Sequence, residues 1–401
     1  MQQAEPSPHV SIRGSNQSGM RAHNERLVLT LLRRHGPQPK AQIARMTGLS
    51  AQTVSVIMRA LEADGLLQKG TPVRGRVGQP SVPFALAPGG AFFFGLKVGR
   101  RSLELVLTDF LGTVLDRAQR RHRYPTPDSV LDFARGSVAA LSARLSDGQR
   151  ARIAGLGIAI PFQLWDWAGA IGAPPEAMAA WRDRDFRAEL AGALDMPVFL
   201  ENDASAACGA ELVLGTSDLP QNFLHAYIAY FIGGGVVLNG SVYTGSSGNA
   251  GALGSLPVPG PGGASRQLIE VASLAALERR LERAGHDVET LWSSPDGWEV
   301  EATLLSDWLD EAAHGIAHAI AAACAVIDFE AILIDGWLPE PVRARLVAAT
   351  RAAFDRLDTA GITAPAIREG TIGPGARALG AACLALSERF LVDQNALLRA
   401  A

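Results

Sequence analysis

The stretch from Lys40 to Leu61 constrains this chain more than any other, because two short helical patterns meet there across a single glycine. Gly48 supplies the backbone freedom that a tight turn between helices requires. Ala44 is small where two helices would cross closely, and Ser50 stands where an N-cap would open the second helix. Val54, Ile57, Met58 and Leu61 recur at helical spacing and would pin that helix to a core. Gln52, Thr53, Ser55, Val56 and Arg59 then face outward, as a helix lying in the major groove of DNA requires. A small helical domain with a glycine turn is the plain alternative, but composition, turn and spacing agree on a helix-turn-helix.

The flanking residues complete a domain. His23 to His35 reads as a preceding helix with Leu27, Leu29, Leu31 and Leu32 inward, broken by Gly36-Pro37-Gln38-Pro39. Gly65-Leu66-Leu67 closes the second helix of the motif and enters a strand, and Phe84 and Leu86 lie on a returning one. Between them, residues 69–82 carry Arg74-Gly75-Arg76 at a basic, glycine-rich hairpin. Such a wing lays Arg74 and Arg76 along phosphates or into the minor groove; a solvated basic loop is the alternative. Residues 21–88 are thus expected to form a winged helix-turn-helix. A flexible polar arm is expected over 1–20, without the apolar stretch of a signal peptide. Ser50, Gln52, Thr53, Ser55, Arg59, Arg74 and Arg76 are the candidate contacts to a double-stranded DNA operator.

Charge supports this division. The net charge of the chain is -3, yet residues 1–90 hold eleven Lys and Arg against four Asp and Glu. The basic excess therefore coincides with the helix-turn-helix and suits a phosphate backbone. At 48% hydrophobic and 19% charged residues, the 401-residue chain is globular with room for more than one core. No apolar run reaches the length of a membrane span. Cys208, Cys324 and Cys383 lie far apart, with neither metal-ligand spacing nor a disulfide framework, which fits a reducing cytoplasm.

Pro88-Gly89-Gly90 marks a boundary, after which strands alternate with helices over residues 91–401. Strands are expected at 92–98, 102–109, 153–160, 197–200 and 331–334, and an amphipathic helix at 129–145. Tyr227 to Phe231 and Val236 to Asn239 read as strands flanking a glycine turn. This alternation predicts an α/β domain with covered sheets. No internal repeat stands out. Trp165-Asp166-Trp167 falls in a loop near the expected cleft, where the rings would stack on a sugar or pack beneath a lid. Trp181 and Trp337 read as core or interface residues.

Two segments carry a family resemblance. Glu201-Asn202-Asp203-Ala204-Ser205-Ala206-Ala207 resembles the sugar-site signature of the ROK family (repressors, open reading frames and sugar kinases). So does the run from Ile232-Gly233-Gly234-Gly235 to Thr244-Gly245, followed by Gly248-Asn249-Ala250-Gly251-Ala252-Leu253-Gly254. With the helix-turn-helix in front, the chain resembles the family's repressors, of the xylose and N-acetylglucosamine repressor type, over residues 23 to about 385. The resemblance implies a two-lobed actin-like ATPase domain behind a winged helix; a homodimer on a palindromic operator is expected, with further pairing into tetramers left open.

It also implies that the kinase parts have degenerated. Lys97 stands where the family's first phosphate loop has an Asp, and Tyr230 and Phe231 occupy the place of small residues in the second. Phe162 follows Pro161 where the family has Gly, and Asp335-Gly336-Trp337 replaces a small Gly-Gly pair. Bulky side chains obstruct the approach of backbone to phosphate, so neither ATP nor any other cofactor is expected. Ser255, Pro261, Gly263 and Leu268 occupy the positions of the family's His and three Cys, so no zinc is expected. Asn202, Asp203 and Glu270 match contacts to sugar hydroxyls, whereas Ala252 and Ser255 replace two others. A strand-end turn with a helix cap is the alternative for Asn202-Asp203.

The resulting expectation is a sequence-specific DNA-binding repressor without catalytic residues, released by a carbohydrate-like effector at Asn202, Asp203 and Glu270. A DNA-binding dimeric scaffold that senses nothing, an ATP-dependent sugar kinase, and an activator are the competing readings.

Overall fold

The structure is a computed structural model that describes residues 17–72, 81–169, 172–260 and 264–392. Contacts divide the chain into two compact units, residues 1–90 with 387–401, and residues 91–386.

In the smaller unit, α1 (Gln17–His35) is followed by β1 (Gln38–Pro39), α2 (Lys40–Thr47), α3 (Ala51–Ala63), β2 (Leu67–Lys69) and β3 (Pro83–Leu86). The three strands form an antiparallel sheet in the order β1-β3-β2. Gly48 ends α2 in the left-handed region at φ 71°, and Ser50 caps α3 by accepting a hydrogen bond from Thr53 N, as expected. Val54, Ile57, Met58 and Leu61 are all buried, together with Ile43 and Phe84. On α1 the buried stripe is Val28, Leu29, Leu31 and Leu32, with Leu27 only half-buried, because a 3.6-residue period places Val28 beneath Leu32.

Two expectations need correction here, and a third falls partly outside the described residues. The arm ends earlier than residue 20, since Gln17 already opens α1. The second domain, expected to run to 401, stops at Leu386 among the described residues, because Ser387 to Val392 group with the smaller unit: Val392 N donates to Thr30 Oγ1 on α1 at 3.0 Å. The wing is present as β2 and β3, but Arg74 and Arg76 lie outside the described residues.

The larger unit opens with β4 (Phe92–Val98), β5 (Ser102–Thr108) and β6 (Val114–Arg121). Then come α4 (Pro127–Ser142), α5 (Asp147–Arg150), β7 (Ile153–Ile160), α6 (Pro175–Ala179), α7 (Phe186–Leu194) and β8 (Val198–Asn202). The second half runs α8 (Asp203–Leu214), β9 (Phe223–Ile228), β10 (Ile232–Leu238), β11 (Ser241–Tyr243), β12 (Pro257–Pro259), β13 (Ser265–Gln267), α9 (Leu268–Ala272), α10 (Leu274–Arg283), α11 (Glu289–Ser293) and α12 (Ala302–Cys324). It closes with β14 (Ala331–Gly336), α13 (Glu340–Phe354), β15 (Ala366–Glu369) and α14 (Ala376–Phe390). The helix expected at 129–145 starts two residues earlier, because Thr126 and Ser129 form a capping box and a proline is tolerated in a first turn.

Two five-stranded sheets share one topology. The first has the order β6-β5-β4-β7-β8 and the second β11-β10-β9-β14-β15. In each, a three-stranded antiparallel meander is extended by two parallel strands on the far side of its first strand. This is an internal repeat that the residues do not announce. Each sheet has its own apolar core, one around Phe92, Phe94 and Leu156, the other around Ile332, Trp308 and Leu346.

Helices α8 and α14 join the two lobes by crossing over. α8 follows the first sheet yet packs on β10 of the second, where a Cβ on Gly235 would overlap Cys208. α14 follows the second sheet yet packs on β7 of the first, where a Cβ on Gly157 would overlap the Ala381 carbonyl. The two helices touch at Gly380, whose missing side chain makes room for the carbonyl of Ala206. The glycine turn expected near 232–235 is therefore wrong. Gly233, Gly234 and Gly235 lie within β10, kept bare so that Ala204, Leu253 and Cys208 can press against the sheet.

Candidate functional site

Two regions hold the candidate residues. On α3, Gln52, Val56 and Arg59 are exposed, Val56 to 47%, while Ser55 and Thr53 are half-buried. Positions 52, 55, 56 and 59 share one face by helical periodicity. Ser50 and Thr53 have partly used their hydroxyls on each other at 2.8 Å, and Thr53 N donates to Ser50 Oγ at 3.1 Å. Arg59 Nε donates to the Ser55 carbonyl at 3.2 Å, which pre-orients the guanidinium along the helix. The free edge is thus a carboxamide suited to adenine, a guanidinium suited to guanine and an aliphatic patch suited to a thymine methyl. Lys40 and Lys69, unnoticed in the sequence, both lie over the Phe84 ring, at 5.3 and 5.9 Å.

The second region is the cleft between the two lobes. Asn202 ends β8 and caps α8, its Oδ1 accepting from Ala204 N at 2.9 Å and Ser205 N at 3.3 Å. Asp203, next to it, pairs with Arg377 of α14 at 3.2 Å, with both side chains largely buried. Glu270 is exposed and closes a capping box on α9 by accepting from Gln267 N at 3.1 Å. Each candidate effector residue therefore already has a local partner. Asn202 and Asp203 stand together, and Glu270 belongs to a separate helix start.

The positions matching the kinase segments are filled by side chains. Lys97 is buried at the end of β4, donating to Ser102 Oγ at 3.1 Å and lying 3.8 Å from Glu104. Burial, with Arg377 nearby, pushes the Lys97 ammonium down to about 8. Tyr230 and Phe231 form the link between β9 and β10, with ring centroids 5.0 Å apart. The Arg100 guanidinium lies 4.1 Å from the Phe231 centroid, and that of Arg101 5.4 Å from Tyr230. Trp337 donates its indole N–H to the Leu291 carbonyl at 2.8 Å. Ion pairs Arg101–Glu278 and Arg121–Glu289 run from the first lobe to the second. They border a cavity of about 460 Å³ lined by Lys97, Arg100, Arg101, Arg121, Arg123 and Arg377. In sequence this part of the basic lining appears as Arg121 and Arg123 at the end of β6 and its exit.

Trp165 packs against the first lobe's core, with the Arg182 guanidinium 5.8 Å from its ring. Trp181 is buried and donates to the Pro125 carbonyl at 3.0 Å. Of the four positions matching the zinc ligands, Leu268 is a buried core residue, and Pro261 and Gly263 lie outside the described residues. A different trio, Glu211, His225 and Asp335, brings ligand atoms within 4.8 Å of one another. Its carboxylates are already engaged. Glu211 accepts from Thr371 N, Thr371 Oγ1 and Ile372 N, and Asp335 from Gly336 N, Gly373 N and Arg343. The two carboxylates fasten the turn at 371–373 to α8 and β14, with His225 buried beside them.

A winged helix followed by a two-lobed, actin-like domain defines a class of DNA-binding transcription regulator. Residues 93–388 match the ROK family and residues 21–68 match winged helix-turn-helix DNA-binding domains; the chain belongs to the ROK family. The protein y4fQ of Sinorhizobium fredii is 25% identical over 369 residues, 92% of this chain and 91% of its own. A xylose repressor of Bacillus spizizenii is 27% identical over 244 residues, 61% of this chain and 62% of its own. Transcriptional regulator Mb0495 of Mycobacterium bovis is 29% identical over 263 residues, 63% of this chain and 58% of its own. The matches to the last two thus span less than two thirds of those proteins. A crystal structure of a ROK family transcriptional regulator, described as a homologue of the E. coli MLC protein, superposes with TM-score 0.66 at 21% identity, covering 95% of this chain and 99% of that one. A ROK hexokinase from Thermus thermophilus superposes with TM-score 0.54 at 25% identity, covering 74% of this chain and 98% of its own. The family thus includes both regulators and sugar kinases. No helix among the described residues is long and apolar enough to cross a membrane.

Proposed function

We propose that this chain is a cytoplasmic repressor that binds a palindromic operator as a dimer and senses a carbohydrate-like effector without phosphorylating it. Each winged helix would read one half-site through Gln52, Val56 and Arg59, with Ser50, Thr53 and Ser55 contacting nearby phosphates or base edges. Arg74 and Arg76 would hold the backbone or the minor groove. The observation that carries the reading is the pairing of an exposed recognition face with a cleft whose phosphate positions hold Lys97, Tyr230, Phe231 and Trp337. Kinase activity needs backbone open to phosphate and an unpaired general base. Here Asp203 is paired with Arg377. The relatives named as xylose repressors favour a carbohydrate as effector.

Release from DNA requires that the effector bind one lobe arrangement better than the other, since equal affinity shifts nothing. The test is selection of DNA by the purified full chain at two salt concentrations, then a sugar screen on the winning site. Enrichment of a palindrome that one sugar releases supports the repressor reading. Phosphorylation of a sugar by ATP, abolished by Asp203→Asn, would overturn it. A scaffold that senses nothing is favoured by one observation: Asn202, Asp203 and Glu270 are already engaged in caps and an ion pair. Calorimetry separates the two, because an inert domain gives no heat with any ligand.

A further inference from the structure

The lobe cavity holds more positive than negative charge. Its cationic lining meets four carboxylates: Lys97 lies near Glu104, Arg101 pairs with Glu278, Arg121 with Glu289 and Arg377 with Asp203. Arg123 is exposed, lines the cavity and has no hydrogen-bond or ion-pair partner among the described residues. Arg100 adds a further charge, set against Phe231. Burial, and then the neighbouring Arg377, pushes the Lys97 ammonium down to about 8, and burial brings Arg100 down to about 10. A site that concentrates guanidinium groups around a cavity of small-molecule size suits an anion, because planar guanidinium forks bind oxyanions bidentately.

The walls narrow the class. Tyr230, Trp292 and Trp337 also line the cavity. Both indole N–H groups are committed elsewhere, Trp292 to Glu278 at 3.0 Å and Trp337 to Leu291, so the rings offer carbon faces suited to the C–H face of a compact polar skeleton. Arg101 and Arg121 are held by carboxylates of the opposite lobe. An incoming ligand that displaces Glu278 and Glu289 must therefore bring at least two negative charges.

We propose that the cleft binds a compact organic dianion, a phosphate ester or dicarboxylate of a polyhydroxylated skeleton, and that this ligand loosens the lobes by taking Arg101 and Arg121 from Glu278 and Glu289. This deepens the sensor reading and rests on it for its regulatory part. The binding part stands by itself on Lys97, Arg123 and Arg377. Since Arg377 also holds Asp203, occupancy of the cavity is linked to the candidate sugar residues by one shared guanidinium.

The test is calorimetry on the full chain with glucose, glucose 6-phosphate, glucarate and inorganic phosphate. One of the two dianions should bind about tenfold or more tighter than both glucose and inorganic phosphate, and Arg123→Gln should weaken it by about tenfold with an unchanged melting temperature. Lys97→Met, checked for folding by its melting curve, should weaken it further. Which dianion prevails identifies the source of the charge. Equal binding of glucose, indifference to Arg123→Gln, or no heat with either dianion would overturn the site. Operator release is scored separately. A dianion that binds and leaves the operator complex intact keeps the site and refutes the sensor reading. Release by glucose that ignores Arg123→Gln keeps the sensor reading and refutes the site.

Discussion

Replacing Asp203 by alanine should destabilise the larger unit far more than the loss of a free ligand residue would. Its carboxylate lies 3.2 Å from the Arg377 guanidinium, with side-chain exposures of 16% and 13%. Coulomb attraction at that distance is about 5 kcal/mol at an effective dielectric near 20, most of it offset by desolvation. Removing one partner leaves the other charge buried and uncompensated, for which about 3 kcal/mol is the usual cost. Arg377 keeps one consolation, the Tyr227 ring 5.5 Å away, which holds the loss toward the low end of that range. For a domain of this size the change lowers Tm by about 6 °C. Intrinsic fluorescence reads this unit alone, because all seven Trp and all four Tyr lie between residues 124 and 337. The companion Arg377→Met and the double variant complete a mutant cycle, in which the double should recover part of the loss. If Asp203→Ala unfolds within about 0.5 kcal/mol of the parent, a change typical of an ordinary surface site, Asp203 is not held by Arg377 and the ion-pair argument fails.

Ser50→Ala should cost about 1 kcal/mol by leaving Thr53 N without its cap, seen as faster amide exchange in the first turn of α3. Gly380→Ala should cost about 3 kcal/mol, since its Cβ would meet the Ala206 carbonyl, while Gly136→Ala, with open space in α4, should gain up to about 1 kcal/mol; urea midpoints compare them. His225 is fully buried, neither ring nitrogen has a hydrogen-bond partner among the described residues, and burial pushes its imidazole down to about 4. A depressed histidine contributes stability above its unfolded value near 6.5 that is lost as pH falls toward 4, so the step from pH 7 to 5 should cost about 2 kcal/mol. Asp335, raised by burial, acts in the opposite sense. His122, also pushed by burial down to about 4, acts in the same sense, so His225→Gln should reduce the slope of the melting profile over that interval without abolishing it, and an unchanged slope would remove His225 as a cause. Arg59→Ala should relax base preference at one operator position, and Lys40→Ala should instead weaken all sequences alike and reduce the salt slope.

The winged helix was legible because its signals are local. A cap at Ser50, a left-handed glycine at 48 and a four-residue apolar period at 54, 57, 58 and 61 each act within a turn or two of chain. The same locality explains the misreadings. Gly233-Gly234-Gly235 looks like a turn to any local rule, and only the approach of α8 and Leu253 shows that these residues are the smooth patch of a strand. Residues 387–392 look like the tail of the second domain until the Thr30 hydroxyl captures Val392.

What the residues determine unaided is the winged helix with the recognition face of α3, because its signals come from neighbours in sequence, and the family resemblance adds the loss of the phosphate-binding pattern. Tertiary structure decides the rest. It turns Asn202, Asp203 and Glu270 from a list of polar residues into two helix caps and an ion pair. It repeats one sheet topology in two lobes with no repeated residues to betray it. It also gathers Lys97, Arg123 and Arg377 around one cavity, though they are far apart along the chain. Electrostatics depends on distance in space, and that distance is set only once α8 and α14 have crossed.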